Sequence, residues 1–478
     1  MSFMDDIIQR VEIGNESVMA NIINDLINDH AIKKDKMIGN YKRYKASKDP
    51  DGVPVFSRKF KDKNKINNKI NNSFDADIID VKVGYMLGNP IIYEIQKELY
   101  TKDDVLQEVA YEKDNSIIEN FNMRNNIADL DSETLKMASI CSYGARLLYI
   151  NGEGKVNAMN LDPWEVIFIT DGSLDLPQYA MRYYEITDGD EKKVYVEWYN
   201  DTTIKFYISS KDEKTNTLSF IPYKKDGMFE KPHMFGGIPL IEFANNKEKQ
   251  GDCERVYGLI DAYDKTLSDI NSELEQFRLA YMAFYGLVPS EEVIDRAKRT
   301  GALGLSDPDS RVEFLVKQIN DNVIEHHLDR IENNIYSFAK SVNFTDEAFG
   351  GNISGIAMKF KMFGLESKCI TSERKFNTGL RNQYKLLTST WSIKGTDIDF
   401  TSISFIWTRN FPLNLLDEST TAMNLQGIVS KKTVLSTLSI VDDPEKEMAE
   451  IERENEGIID LDENGDIGGE NANVPPVE

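Results

Sequence analysis

Two stretches of the chain carry apolar residues at alternating intervals of four and three. In the first, Val256, Ile260, Tyr263, Leu267, Ile270, Leu274, Phe277 and Tyr281 are spaced 4-3-4-3-4-3-4. In the second, Ile324, Leu328, Ile331, Ile335, Phe338 and Val342 are spaced 4-3-4-3-4. A repeat of this kind puts a narrow apolar seam along one side of a helix, and such a seam is buried only against another helix. Two rods are therefore expected, the first roughly 40 Å long at about 1.5 Å per residue. Between them, Leu287 to Asp321 holds a short helix (SEEVIDRAKR), a turn (SDPDSR) and a strand (VEFLVKQ), which together predict a compact tip joining the rods.

The remaining pattern divides the chain further. A first amphipathic helix is predicted from Ser2 to Ala31, with Ile7, Ile8, Val11, Val18, Ile22, Ile23 and Leu26 as its apolar positions. A basic, tyrosine-bearing stretch follows, read as a solvated arm; Lys33 to Lys69 holds thirteen Lys/Arg against four Asp. Phe74 to Leu87 reads as a helix with Phe74, Ile78, Val81 and Tyr85 on one face, ended by Gly88-Asn89-Pro90 because proline cannot continue it. Ile91 to Ile95 reads as a short strand, and helix resumes to about Ser142. The period then drops to two. GARLLYINGEGKVNAMNL predicts a hairpin, and Pro163–Ile169, Tyr179–Ile186, Lys193–Tyr199, Thr203–Ile208 and Ile238–Phe243 continue an antiparallel β-rich domain. After the second rod, GGNISG leads into a long helix to about Ser389, with interruptions expected near Gly364 and Gly379. A strand from Ile398 to Thr408 is expected to return to the β-rich domain. Short helices follow, and the acidic tail from Glu456 is expected to be disordered.

Composition narrows the function. A chain of 478 residues with 41% apolar residues is long enough for several domains. No run of about eighteen apolar residues is present to span a membrane, and the acidic, amphipathic N-terminus does not read as a secretory signal. Cys141, Cys253 and Cys369 lack metal-ligand spacing and read as buried thiols of a reducing compartment. The net charge of −24 argues against tight static binding of nucleic acid, while leaving room for a polyanion that slides past.

Catalytic patterns are missing. GGNISG lacks the Lys and hydroxyl pair of a phosphate-cradling loop, so its glycines read as a hinge, with Asn352 and Ser354 as caps for the next helix. His326 and His327 are neighbours in a rod and splay apart, reading as interface residues rather than metal ligands. The carboxylates Asp261, Asp264, Asp269, Glu273 and Glu275 read as solvated flanks of the first seam, or as an acidic pore lining. DLDENGDIGGEN, Asp460 to Asn471, starts like a calcium loop, but Asn471 stands where a bidentate glutamate belongs.

Four segments in one order carry a resemblance: GYMLGNPIIYE (Gly84–Glu94), DPWEVIFITD (Asp162–Asp171), the rod beginning VYGLIDAYDKTLSDINSELEQF, and GGNISGIAMKFKMFGLE. Over about residues 20 to 450 the chain resembles the portal, or head–tail connector, proteins of double-stranded-DNA tailed bacteriophages, of siphophage type infecting Gram-positive hosts. The resemblance implies an α+β portal fold assembled as a homo-dodecameric ring at one capsid vertex. It places a wing at residues 1–250, stem helices at 251–286 and 322–342, a clip at 287–321 and a tunnel loop at 343–355. A long kinked helix with a returning wing strand follows at 356–418, a helical crown at 419–456 and the acidic tail at 457–478. It implies no enzymatic activity and no cofactor or metal.

The residues it assigns follow the same parts. Asn343, Phe344, Thr345, Asp346, Phe349, Gly350, Gly351, Asn352, Ser354, Gly355, Lys359 and Lys361 would face double-stranded DNA without sequence specificity. The two heptad seams would pack subunits together. Glu291, Glu292, Asp295, Arg296, Arg299, Asp307, Asp309 and Arg311 would receive the large terminase subunit and a head-completion adaptor at the clip. Major capsid and scaffolding proteins are the other implied partners. The implied location is the virion's portal vertex, after assembly in the host cytoplasm and without a membrane. From the residues alone, a cytosolic coiled-coil adaptor with a β-rich partner-binding module remains the alternative.

Overall fold

The computed structural model describes residues 3–14, 16–46, 66–95, 105–171, 176–189, 191–211, 218–277, 281–285, 290–300, 311–315, 321–344, 355–410, 415–438, 440–441 and 444–462. Mixed helix and sheet fall into two units: Met1–Asp346 with Lys361–Asn410, and Glu347–Phe360 with Phe411–Glu478.

The first unit opens with α1 (Phe3–Ile13) and α2 (Glu16–Lys45) in place of the single helix expected over residues 2–31. α2 also absorbs the first part of the basic arm. The reason lies in the spacing of Met37, Tyr41 and Tyr44, which puts one face of KKDKMIGNYKRYK against the core while its lysines stay outside. α3 (Phe74–Leu87) ends as expected before β1 (Ile92–Ile95). Its buried face is Phe74, Asp75, Ile78, Ile79, Lys82 and Met86, turned away from Val81 and Tyr85 because Lys82 has buried partners.

α4 (Val105–Asn125) and α5 (Ile127–Cys141) lead into the sheets. β2 (Tyr143–Ile150) and β3 (Val156–Leu161) form the expected hairpin, followed by β4 (Val166–Ile169), β5 (Tyr179–Asp188), β6 (Glu191–Tyr199) and β7 (Thr203–Lys211). β8 (Leu218–Pro222), β9 (Glu230–Pro232) and β10 (Leu240–Ala244) complete the set. Three strands pair in the order β10-β2-β3. A six-stranded sheet runs β4-β5-β6-β7-β8, with β9 paired to β7. Strand alternation separates two cores. Met181 and Tyr183 join Ile7, Ile22, Ile23 and Leu26 under α1 and α2, while Ala180 and Tyr199 meet Leu147, Leu161 and Leu240 between the sheets.

α6 (Tyr257–Phe277) is the first rod, shorter than its seam implies; Tyr281 lies in β11 (Tyr281–Tyr285). α7 (Glu291–Thr300) and β12 (Arg311–Leu315) follow, and β11 pairs antiparallel with β12. The second rod is α8 (Asp321–Ala339), packed on α6. α9 (Gly355–Ile393) runs without the interruptions expected at Gly364 and Gly379. Gly379 serves close packing instead, since a Cβ there would lie 2.5 Å from Phe243 Cδ1. β13 (Ile403–Ile406) does not rejoin the larger sheets. It pairs antiparallel with β1, held by Tyr93, Tyr384 and Phe405 in a mutual aromatic cluster.

In the second unit, α10 (Leu415–Leu425), α11 (Lys431–Leu435) and α12 (Pro444–Asp462) pack in sequence. Ser430 caps α11 by accepting from Thr433 N at 3.2 Å, and Lys432 meets Glu445 at 2.6 Å. α12 begins at a proline and continues past Glu456 to Asp462, beyond the point where disorder was expected. The remaining tail, with most of the calcium-loop match, lies outside the described residues.

Candidate functional site

The two heptad seams are only half spent inside the chain. Val256, Ile260, Ile331 and Ile335 are buried in a core shared by α2, α3, α5, α6 and α8, and Val342 is also buried. Farther along, Tyr263, Leu267, Ile270, Ile324 and Leu328 are half-buried, Leu274 is 55% exposed and Val323 61%; Phe338, at the buried end beside Ile335 and Ala339, is also exposed. The side chains of Phe277 and Tyr281 lie outside the described residues. One end of each rod is thus rooted in its own subunit and the other retains uncovered apolar surface.

A second device holds α6. Asp264, Ser268 and Ser272, one turn apart and fully or nearly buried, accept the backbone N–H groups of Asn72, Ile70 and Asn68 at 3.2, 2.9 and 3.0 Å. Two residues of extended chain advance about 6.6 Å and four helical residues about 6 Å, so the two repeats keep in step. Ser268 and Ser272 also donate to the carbonyls of Asp264 and Ser268 at 2.6 and 2.8 Å. Burial pushes the Asp264 carboxyl up, against the hydrogen bonds from Asn72. The end of the stretch read as a solvated arm is therefore a strap laid along α6.

Where α8 ends, the backbone is shaped by a left-handed residue. Lys340 has φ of 52°, Ser341 N donates to Tyr336 O at 2.9 Å, and Lys340 N donates to Ser337 O at 3.3 Å. This paired pattern closes a helix and is usually made with glycine. The carbonyl of Ala339 is taken by Lys368 Nζ, from α9, at 3.0 Å. The same ammonium lies 3.5 Å from Asp252 Oδ2. Asp252 also receives Lys82 Nζ at 3.0 Å and Asn245 Nδ2 at 3.0 Å. Lys82, fully buried, further donates to Ser139 Oγ at 3.0 Å and Asn245 Oδ1 at 2.7 Å. Lys368, Lys82 and Asn245 outweigh burial and hold the Asp252 carboxyl down to about 2.

A second buried cluster grips α9 nearer its C-terminus. Arg146 on β2 donates to Gln383 Oε1 and Thr134 Oγ1 at 2.9 Å each and to Asn160 Oδ1 at 3.1 Å. It stands 2.9 Å from Asp131 Oδ1 and lies over the Phe243 ring at 4.9 Å. Tyr93 donates to the other oxygen of Asp131.

Of the residues that the resemblance assigns to a channel, Asn343 donates to Glu332 Oε1 at 2.9 Å and Phe344 is half exposed. Lys361 is exposed on α9, Gly355 is its first residue, and the side chain of Lys359 is outside the described residues. Thr345, Asp346, Phe349, Gly350, Gly351, Asn352 and Ser354 also lie outside them, as do Asp307 and Asp309 of the tip. Glu291, Glu292, Asp295, Arg296 and Arg299 line the exposed sides of α7, and Arg311 opens β12 opposite Tyr285.

Among the described residues no group of three or more His, Cys, Asp or Glu is placed to hold a metal ion, and no helix is long and apolar enough to cross a membrane. His326 and His327 are exposed. All three cysteines are buried, and burial raises each thiol, Cys369 to about 11. Sequence reasoning missed the Lys82–Asp252–Lys368 cluster; its one trace is a lysine spaced four residues from both Ile78 and Met86.

Comparison with known proteins covers nearly the whole chain. A family model described as phage portal protein, SPP1 Gp6-like, matches residues 23–460. A portal protein of Bacillus phage SPP1 is 25% identical over 395 residues, 79% of this chain and 74% of that protein. A portal protein of Clostridium phage phiCD119 is 28% identical over 220 residues, 45% of this chain and 48% of that protein.

Proposed function

The chain belongs to the SPP1 Gp6-like family of phage portal proteins, and from that premise we propose that it closes into a dodecameric ring at one capsid vertex. The family is structural rather than enzymatic, a component of the phage capsid. In our reading the ring is the channel for DNA packaging and ejection. Residues 1–250 form the wing, 251–286 and 322–342 the stem, 287–321 the clip, 343–355 the tunnel loop, 356–418 the long helix with its wing strand, and 419–456 the crown.

The observation that carries this reading is the family match over residues 23–460. The α6–α8 pair supports it physically. Its far end keeps Leu274 of α6 and Val323 of α8 uncovered, as a rod does when its remaining partners come from neighbouring copies. The charge of −24 per chain makes the ring strongly anionic, so DNA meets repulsion rather than adhesion, with Lys359 and Lys361 supplying brief phosphate contacts. The exposed charges of α7 offer the terminase and the adaptor a docking rim, while capsid and scaffolding proteins take the wing side.

Native mass spectrometry with negative-stain imaging of the full chain, alone and co-expressed with its capsid and scaffolding proteins, tests the ring. Closed rings of about a dozen subunits with a central hole are expected. A compact dimer under both conditions would sink the reading and restore the coiled-coil adaptor.

A further inference from the structure

The chain leaves α8 at Lys340, one of eight non-glycine residues with positive φ among the described residues. A helix end of this kind leaves carbonyls without intrahelical donors, and the partial negative charge collects there. At Ala339 the missing donor is an ammonium brought from α9, twenty-nine residues later in sequence. That ammonium is not free to follow the chain. It is fixed by Asp252, just before α6, which is fixed in turn by Lys82 of α3 and by Asn245 after β10. Ser372, one turn beyond Lys368 on α9, donates to Asn245 Oδ1 at 3.2 Å and closes the circuit. Lys368 and Ser372 therefore tie α9, and Ala339 ties the end of α8, to one buried cluster.

We propose that Lys368 is a positioning residue for DNA passage: its ammonium clamps the last carbonyl of α8 to the Asp252 cluster and sets the direction in which Val342, Asn343 and Phe344 leave the stem. This rests on the portal reading for its purpose, and on geometry for the clamp itself. Just beyond the clamp, Asn343 donates to Glu332 of α8. Without Lys368, the Ala339 carbonyl loses its donor and Asp252 keeps only Lys82 as a cation. β5 and β6 contain none of these contacts, so they should be unaffected by the loss.

The test uses the full chain with Lys368→Met, Lys368→Gln and Lys368→Arg, read by hydrogen–deuterium exchange and by complementation of a phage lacking its own copy of the gene. In Lys368→Met and Lys368→Gln, amides of residues 340–344 are expected to exchange about tenfold faster, with β5 and β6 unchanged. Lys368→Arg is expected to restore most of the protection. Rings are expected to form in wild-type yield, while DNA-filled heads fall about tenfold, the drop tracking the exchange rate. Unchanged exchange at 340–344 overturns the clamp. Faster exchange that spreads through β5 and β6 makes Lys368 a general fold residue, and faster local exchange with normal head filling removes its positioning role; both also overturn the proposal. Failure of the wild-type chain to form rings or to complement would count against the portal reading instead, with the exchange result still deciding the clamp.

Discussion

Two buried ion clusters hold α9 to the first unit, and they solve the same desolvation problem by opposite means. At Asp252 two lysines share one carboxylate, and the cations together with Asn245 hold it ionised to about pH 2. At Asp131 a single arginine faces the carboxylate, burial dominates, and its affinity for a proton is pushed up instead. Lysine suits the first site because a compact ammonium satisfies Ser139, Asn245 and Asp252 together in a small space. Arginine suits the second because a flat fork meets Thr134, Asn160 and Gln383 at fixed angles while its face lies over Phe243. The first cluster is bound together by net attraction. The second is held by hydrogen-bond geometry.

Removing an anion from the first cluster has the largest expected effect. Asp252→Ala leaves Lys82 fully buried with no counter-charge, which costs roughly 3–5 kcal/mol in equilibrium urea unfolding. Lys82→Met/Asp252→Leu should recover most of that loss, because the fully buried charge is gone and only Lys368, 14% exposed, is left without its carboxylate. A double variant as unstable as Asp252→Ala would show that the cluster is worth more than the charges it balances.

Arg146→Lys tests the second cluster by keeping the charge and removing the fork. The loss of directed bonds to Gln383, Thr134 and Asn160 is expected to cost about 2 kcal/mol, measured the same way. A change near zero would mean that Asp131 needs only a positive charge nearby and that the contrast between the clusters is false.

Acid should separate the two sites further. Asp252 has its folded pKa depressed, so its stabilisation is complete above the unfolded value near 4 and is lost as pH falls toward about 2. That loss is worth about 2 kcal/mol, and the acid limb of the stability curve should flatten in Asp252→Asn. Asp131 has its folded pKa raised, so its contribution grows as pH falls through that value and opposes the loss. The acid limb should therefore steepen in Asp131→Asn. Slopes that move the same way in both variants would break the comparison.

The difference between the clusters also explains what could be read in the sequence. The sheets and rods announce themselves because each buries a face of contiguous, periodic apolar residues, as Met181 and Tyr183 do on β5 or Ile331 and Ile335 on α8. The buried clusters draw on Lys82, Ser139, Asn245, Asp252 and Lys368, or on Tyr93, Asp131, Arg146 and Gln383, which no local period connects. The strap is invisible for another reason. Asn68, Ile70 and Asn72 bind through backbone N–H groups that every non-proline residue has, and only the four-residue spacing of Asp264, Ser268 and Ser272 records it. Ser268→Ala strips the acceptor from Ile70 N and should cost about 1 kcal/mol, the scale of one neutral bond. A loss equal to that of Arg146→Lys would make the strap as important as an ion cluster.

The smallest expected change in stability comes from a lysine seven residues from Lys368. Lys361 is two turns earlier on α9 and exposed, where Lys368 is committed to Ala339 and Asp252. Residues seven apart share a helix face to within a few tens of degrees, so the two lysines differ in what surrounds them more than in where they point. Lys361→Glu should leave the melting temperature and the yield of rings unchanged, because solvent replaces whatever an exposed ammonium gives up. In the portal reading its charge meets passing phosphates, so DNA-filled heads should fall roughly two- to tenfold, and less at high salt. Normal head filling with Lys361→Glu would take Lys361 out of the channel and leave the clamp at Lys368 and the contacts proposed for Lys359 as the parts that α9 lysines play in DNA passage. A fall in melting temperature would mean that Lys361, too, is structural.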